Sequence, residues 1–232
     1  GIWQPVWLEY VPENYLERVK ITPDREKLTA TAELFVAAAG AVPCQIHMYM
    51  DDGHGHEQDF GTHTLICKNG YARTVFAFDG VDVRPEQLLW SPKHPNLIQA
   101  DIVIGAAQDA QDRVSTYFGM RSIDVRNGHI LLNGELLFQK LVLDQGYWEE
   151  SLLTPPSKEA LMKDLELVKA MGFNGVRKHQ KIEDPLFYYY ADQMGVLVWG
   201  ELPSAYVYND KMIENSINTM IHFIERDFNH PS

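Results

Sequence analysis

The sequence predicts a β-sandwich that gives way, about halfway along, to an α/β segment built on a parallel sheet. Two patterns and the switch between them lead there. Up to residue 118 the apolar residues alternate: Leu28, Ala30, Ala32, Leu34 and Val36 fall on one face, and Thr29, Thr31 and Glu33 on the other. A period of two means a strand with one buried face. From Leu136 onward, short apolar runs alternate with segments of helical period. Strand–helix–strand units of that length imply parallel pairing.

The alternation recurs at Ile46/Met48/Met50 and at Ile98/Ala100/Ile102/Ile104. Pro, Gly, Asn and Asp separate these runs, as in a sandwich of short strands. Asp51-Asp52-Gly53-His54-Gly55-His56 and Lys68-Asn69-Gly70 have turn chemistry. Near residue 119 the period changes. Gly119-Met120-Arg121 leads into a hairpin, with Asn127-Gly128 and Asn133-Gly134 as its turn signals.

Three strand–helix units follow, with strands near 137–144, 173–178 and 196–200. Ser157 can cap a helix carrying Leu161, Leu165 and Val168, and Gly172 ends it. Asp184-Pro185 is an N-cap followed by Pro at the first helical position, and that helix ends at Gly195. Asn209 or Asp210 starts a third, with Ile213, Ile217, Met220 and Ile224 as its apolar stripe. Ala170-Met171-Gly172-Phe173 and Gln193-Met194-Gly195-Val196 echo each other as helix end, glycine, strand.

The 232 residues suffice for one large or two small domains. Hydrophobic content of 45% and charged content of 22% lie in the ordinary globular range. A net charge of -12 disfavours a nucleic-acid partner, which needs clustered Lys and Arg. No apolar run reaches membrane-spanning length, so no membrane partner is expected. No signal peptide is visible and the chain does not begin with Met, so the compartment stays open. Cys44 and Cys67 read as buried free thiols rather than a disulfide framework. No Gly-x-Gly-x-x-Gly follows a strand, which disfavours a dinucleotide, and no cofactor is expected. Asp51, Asp52, His54, His56 and His63 match no metal spacing and read as a solvated hairpin tip, so no metal is expected either.

All three strands end in polar groups. The first ends at Asp144-Gln145 before Gly146-Tyr147-Trp148, the second at Arg177-Lys178-His179-Gln180, and the third at Trp199-Gly200-Glu201. Carboxylate, guanidinium, amide and indole suit a sugar, supplying donors and acceptors for hydroxyls and a flat face for the ring. The candidate substrate-binding residues are Asp144, Gln145, Arg177, His179, Gln180, Trp199 and Glu201. Asp144, Arg177 and Glu201 should converge at the C-terminal edge of the strands. Strand ends are also polar simply because they are wet, Asp144 and Arg177 suit an internal ion pair, and Trp199 suits packing between layers. Lys178 and His179 cannot both face one site, because adjacent strand residues point to opposite faces.

Four segments in order resemble glycoside hydrolase family 2, the family of β-galactosidases and β-glucuronidases. Gly1-Ile2-Trp3-Gln4-Pro5-Val6-Trp7-Leu8 is similar to the segment closing that family's N-terminal jelly roll. Tyr117-Phe118-Gly119-Met120-Arg121 resembles the exit from its immunoglobulin-like domain. Phe173-Asn174-Gly175-Val176-Arg177, with Asp184-Pro185 and Asp192-x-x-Gly195, resembles its second-strand signature. Asn229-His230-Pro231-Ser232 resembles the opening of the next. The resemblance implies an immunoglobulin-like β-sandwich over 1–118 and, over 119–232, the first three βα units of a (β/α)8 TIM barrel. Arg177 carries over directly and Glu201 as the acidic residue after the third strand. The family's His-Tyr-Pro becomes Gln180-Lys181-Ile182 here, and its first-strand histidine region reads Leu143-Asp144-Gln145-Gly146-Tyr147-Trp148. These departures touch sugar-contacting positions.

The resemblance further implies a retaining exo-glycosidase of β-linked sugars, a hydrolase of carbohydrate metabolism using two carboxylates about 5–5.5 Å apart. Both glutamates would lie beyond Ser232. No residue of this chain is expected to be catalytic, and the chain by itself should not turn over substrate. The alternative is a non-catalytic module binding carbohydrate or protein. The reading frame past Ser232 separates the two: a Val/Ile/Trp strand ending in Asn-Glu supports the first, a stop the second. An unclosed sheet would leave the inward faces of Val142, Val176 and Val198, or their neighbours, bare, so a homo-oligomer is expected.

Overall fold

The computed structural model describes residues 2–51, 57–79, 84–106 and 111–232. Its first part holds β1 (Tyr15–Asp24), β2 (Thr29–Ala37), β3 (Val42–Asp51), β4 (Glu57–Cys67), β5 (Tyr71–Ala77), helix α1 (Pro85–Leu88), β6 (Ile98–Ile104) and β7 (Asp112–Phe118). The strands form two antiparallel sheets, ordered β1-β2-β5 and β4-β3-β6-β7. Ala30, Ala32, Leu34, Val36 and Phe76 of one sheet share a single core with Cys44, Ile46, Met48, Ala100 and Ile102 of the other. Each set lies at alternate positions of its strand, so one face of each sheet is removed from water.

Leu28 is the exception to the expected alternation. It sits in the β1–β2 turn at φ 49°, its carbonyl accepts from the Phe78 amide at 2.8 Å, and it packs on the core from the edge. Cys44 and Cys67 are buried free thiols. Residues 52–56, most of the expected hairpin tip, lie outside the described residues.

A small antiparallel sheet follows: β8 (Ile123–Arg126), β9 (His129–Leu132) and β10 (Glu135–Leu136), in the order β10-β9-β8. Asn127 and Gly128, at φ 51° and 76°, and Asn133 and Gly134, at 55° and 82°, occupy the left-handed positions of its two tight turns. The Leu137 amide is bonded to Ile130 O at 3.0 Å. Leu137 thus still belongs to the hairpin, while Phe138 O and the Lys140 backbone are bonded to Asn174, and the next strand begins only at Leu141.

The last part is β11 (Leu141–Asp144), α2 (Lys158–Ala170), β12 (Gly175–Lys178), α3 (Pro185–Met194), β13 (Leu197–Gly200) and α4 (Asp210–Asp227). The three strands pair in parallel in the order β11-β12-β13. The helix starts follow the sequence signals. Ser157 Oγ accepts from Ala160 N at 3.2 Å, Asp184 Oδ1 from Leu186 N at 2.9 Å, and Asn209 Oδ1 from Met212 N at 2.9 Å. Gly195, left-handed at φ 67°, ends α3 against the backbone of Pro92, where a Cβ would not fit.

Val142, Val176 and Val198 stand in register on one face of this sheet, and α2 and α3 cover them with Leu161, Leu165, Phe187 and Ala191. The bare face therefore belongs to their neighbours, not to the valines. Leu143, Arg177 and Trp199 stand side by side on it, and Leu143 and Trp199 are 54% and 48% exposed. The stripe Ile213, Ile217, Met220 and Ile224 of α4 is likewise exposed.

Asp192, fully buried on α3, ties the parts together. It accepts from Tyr117 Oη at 2.8 Å and Ser232 N at 2.9 Å, and its Oδ2 lies 2.5 Å from His230 Nδ1. Its backbone oxygen accepts from Trp90 Nε1 at 2.9 Å. Burial, reinforced by the Asp192 charge, pushes the Tyr117 phenol well above its ordinary range. Asn229 acts as an extra strand residue: its amide side chain donates to Val19 O at 2.9 Å and accepts from Ile21 N at 2.8 Å, both on β1. Val198 N donates to Ser232 O at 2.9 Å, on the free edge of β13. Trp3 and Gln4 precede β1, and their bonds run to the βα part, to Thr154 and to the carbonyls of Ile182 and Glu183.

Candidate functional site

Side-chain alternation sorts the three strand ends into two groups. Odd-numbered positions of β12 share a face with Arg177 and the even ones share a face with Val176, because successive Cβ atoms point to opposite sides. The bare face collects Gln145, Arg177, His179, Trp199 and Glu201. Arg177 Nε is ion-paired with Glu201 Oε1, and the Gln180 amide donates to Glu201 Oε2 at 3.1 Å. Gln145 Nε2 lies 3.1 Å from His179 Nδ1. The Arg177 hydrogen bond holds the Glu201 carboxyl below the usual carboxylate range, and the Gln180 amide adds to it. The result is a row of amide, imidazole, guanidinium, carboxylate and indole groups at the C-terminal edge of a parallel sheet.

Asp144 does not join them. It shares register with Lys178 and Gly200 and points to the helix side, where its Oδ2 lies 2.6 Å from Lys178 Nζ. The expected convergence of Asp144, Arg177 and Glu201 therefore holds for the last two alone. The reason is parity: Asp144 follows Val142 by two residues and shares its face. The same rule turns Lys178 inward and leaves His179 outside.

Three residues outside the list of candidate site residues gather on the helix side. Lys178 and Glu183 are fully buried and Lys181 is 5% exposed. Glu183 Oε2 lies 2.9 Å from Lys178 Nζ and 3.0 Å from Lys181 Nζ. The signal for Lys178 was present, in its even spacing from Val176. Nothing local marks Lys181 or Glu183, which lie in a loop. Among the described residues no group of His, Cys, Asp and Glu is placed to hold a metal ion. His63 instead bonds Thr74 Oγ1 through Nδ1 at 2.7 Å and stacks on Phe76. No described helix is long and apolar enough to cross a membrane.

The comparisons with known proteins fall along the whole chain. The model of the family described as glycosyl hydrolases family 2 matches residues 14–121. A β-galactosidase of Psychromonas ingrahamii is 30% identical over 158 residues, covering 64% of this chain and 15% of its own. A β-galactosidase of Photobacterium profundum is 26% identical over 248 residues, covering 100% of this chain and 24% of its own. The crystal structure of a β-glucuronidase from Parabacteroides merdae matches with a TM-score of 0.81 at 16% identity, over 96% of this chain and 28% of that one. At such identity the likeness speaks for the fold. The chain spans about a quarter of the length of the curated relatives that it matches from end to end.

Proposed function

The chain belongs to glycosyl hydrolase family 2, and on that premise we propose that it serves a retaining exo-glycosidase acting on β-linked sugars. In this reading residues 1–118 are the immunoglobulin-like sandwich. Residues 119–232 open a (β/α)8 barrel, of which β11, β12 and β13 are the first three strands. The bare face of the sheet is then the barrel interior, and its C-terminal edge is one wall of the sugar site. The catalytic carboxylate pair belongs to later strands. What this chain contributes is recognition and placement of the sugar.

The observation that carries the reading is the Arg177–Glu201 pair, open to solvent beside Trp199 and His179 at the C-terminal ends of parallel strands. Barrel enzymes assemble their chemistry at that end. Guanidinium and carboxylate together offer donors and acceptors to vicinal hydroxyls, and the indole offers an apolar face.

The test uses the full-length protein on a panel of aryl β-glycosides. Arg177→Ala should lower kcat/KM about 10²-fold, the scale of a misplaced substrate, with the melting temperature nearly unchanged. Unaltered kcat/KM in that variant would remove Arg177 from the sugar site. Turnover by the 232-residue chain alone, abolished by mutating one of its own residues, would overturn the assignment of the catalytic pair to later strands.

A further inference from the structure

Behind the open row of side chains lies a buried ionic cluster. Lys178 Nζ sits 2.6 Å from Asp144 and 2.9 Å from Glu183, and rests over the Phe187 ring at 3.9 Å. Lys181 Nζ sits 3.0 Å from the same Glu183 oxygen and donates to the carbonyls of Gly146 and Leu153, both at 2.8 Å. Two ammonium groups face two carboxylates, and the half-buried Asp164 of α2 adds a third close by, its carboxyl held above the ordinary range by burial and by the Asp144 charge. Such a cluster is a poor way to gain stability, because apolar residues of the same volume do as well or better. Burial even holds Lys181 below the ordinary lysine range, despite the opposing pull of Glu183.

Its members explain its placement better than its energy does. Asp144 precedes Gln145, Lys178 stands between Arg177 and His179, and Lys181 follows Gln180. Anchoring Asp144 and Lys178 on the helix side commits their neighbours to the open side. The backbone is tied as well. Asp144 Oδ1 accepts from Gly146 N at 2.7 Å, and Asp144 O accepts from His179 N at 2.9 Å. Gly146 is left-handed at φ 63°, and a Cβ there would collide with Lys181 Nζ. Lys181 therefore holds two carbonyls of the loop after β11 while its own chain forms the loop after β12.

We propose that Asp144, Lys178, Lys181 and Glu183 are positioning residues that register these two loops, so that Gln145 and His179 meet the sugar alongside Arg177 and Glu201, whose carboxylate the Gln180 backbone N–H holds in place. The proposal rests on the reading of the open face as a sugar wall. It makes Asp144 a residue that acts through its neighbours, without touching substrate.

The experiment compares Lys181→Met, Lys181→Arg and the milder Asp144→Asn with the parent in the full-length protein. Steady-state kinetics on aryl β-glycosides are measured well below each melting temperature, and hydrogen exchange is followed over residues 144–154 and 179–184. Lys181→Met should speed exchange in both loops and lower kcat/KM about 10²-fold per folded molecule. Lys181→Arg, which keeps the charge, should recover part of the loss. Should Lys181→Met not fold, Asp144→Asn must show the same pattern in smaller measure. Unchanged exchange in the loops overturns the proposal, as does faster exchange with unaltered kcat/KM, which would leave the cluster a purely structural role. A parent protein inactive on every glycoside would instead defeat the glycosidase reading. Loop exchange alone then decides the registering role: faster exchange in Lys181→Met upholds it, and unchanged exchange ends it.

Discussion

The two-sheet core and the parallel sheet use the same alternation to opposite ends. In the first, Leu34 and Phe76 face Ile46 and Ile102 across one interior, and both apolar faces are spent on each other. In the second, only the valine face is covered, by α2 and α3, while Leu143, Arg177 and Trp199 stay in the open. A strand buried on one side carries polar groups on the other at little cost, since they keep their water. A sheet that is covered once thus supplies both a fold and a surface for chemistry.

The sharpest way to break the comparison is to cut into each face in turn. Phe76→Ala should cost about 3–5 kcal/mol in a denaturant melt, because the surrounding core cannot collapse to fill the space. Leu143→Ala, on the open face, should stay within about 0.5 kcal/mol of the parent. Equal losses at the two sites would mean that the open face is covered in solution. That outcome would match self-association through this sheet, which light scattering on the same samples detects.

The second effect concerns the contact between the two regions. Asp192→Ala leaves the Ser232 amide without its acceptor and the Tyr117 hydroxyl with His230 Nδ1, 3.3 Å away, in its place, at about 1–3 kcal/mol for the bond left unmade. The loss should appear as earlier melting of the βα part, followed by hydrogen exchange across α3. Uniform exchange in the variant would show that Asp192 does not join the regions.

A smaller effect sharpens the account of the site. Glu201 titrates below its ordinary value of 4.5 because Arg177 favours its charged form. A depressed acid contributes stability that is present above the ordinary range and lost as pH falls through the folded value. Arg177→Met should bring the Glu201 midpoint, read by carboxyl carbon resonance, back toward 4.5. An unmoved midpoint would mean that the pair is not formed in solution.

The smallest effect belongs to the covered interior. Burial pushes the Cys44 thiol up to about 11, so alkylation at neutral pH should be slow until the chain unfolds. Rapid labelling of native protein would show that the two sheets part more readily than their packing implies.

Local rules, each decided within a few residues, were legible in the sequence. Asn-Gly pairs take left-handed φ values, Ser157, Asp184 and Asn209 cap their helices, and alternation marks the buried face of β2, β3 and β6. The candidate row Gln145, Arg177, His179, Gln180, Trp199 and Glu201 was legible as a list, because strand ends can be counted. The partnerships were not. Counting alone groups Asp144 with Arg177 although parity assigns it to the other face, and Lys181 and Glu183 carry no periodic signal at all. Only the folded chain brings Glu183 between two lysines, Asp192 against Tyr117 and His230, and Asn229 onto the edge of β1. Spacing along a chain sets which way a side chain points. Its partners there come from segments as much as 210 residues away in the sequence, and charge pairing in a dry interior is settled by that meeting alone.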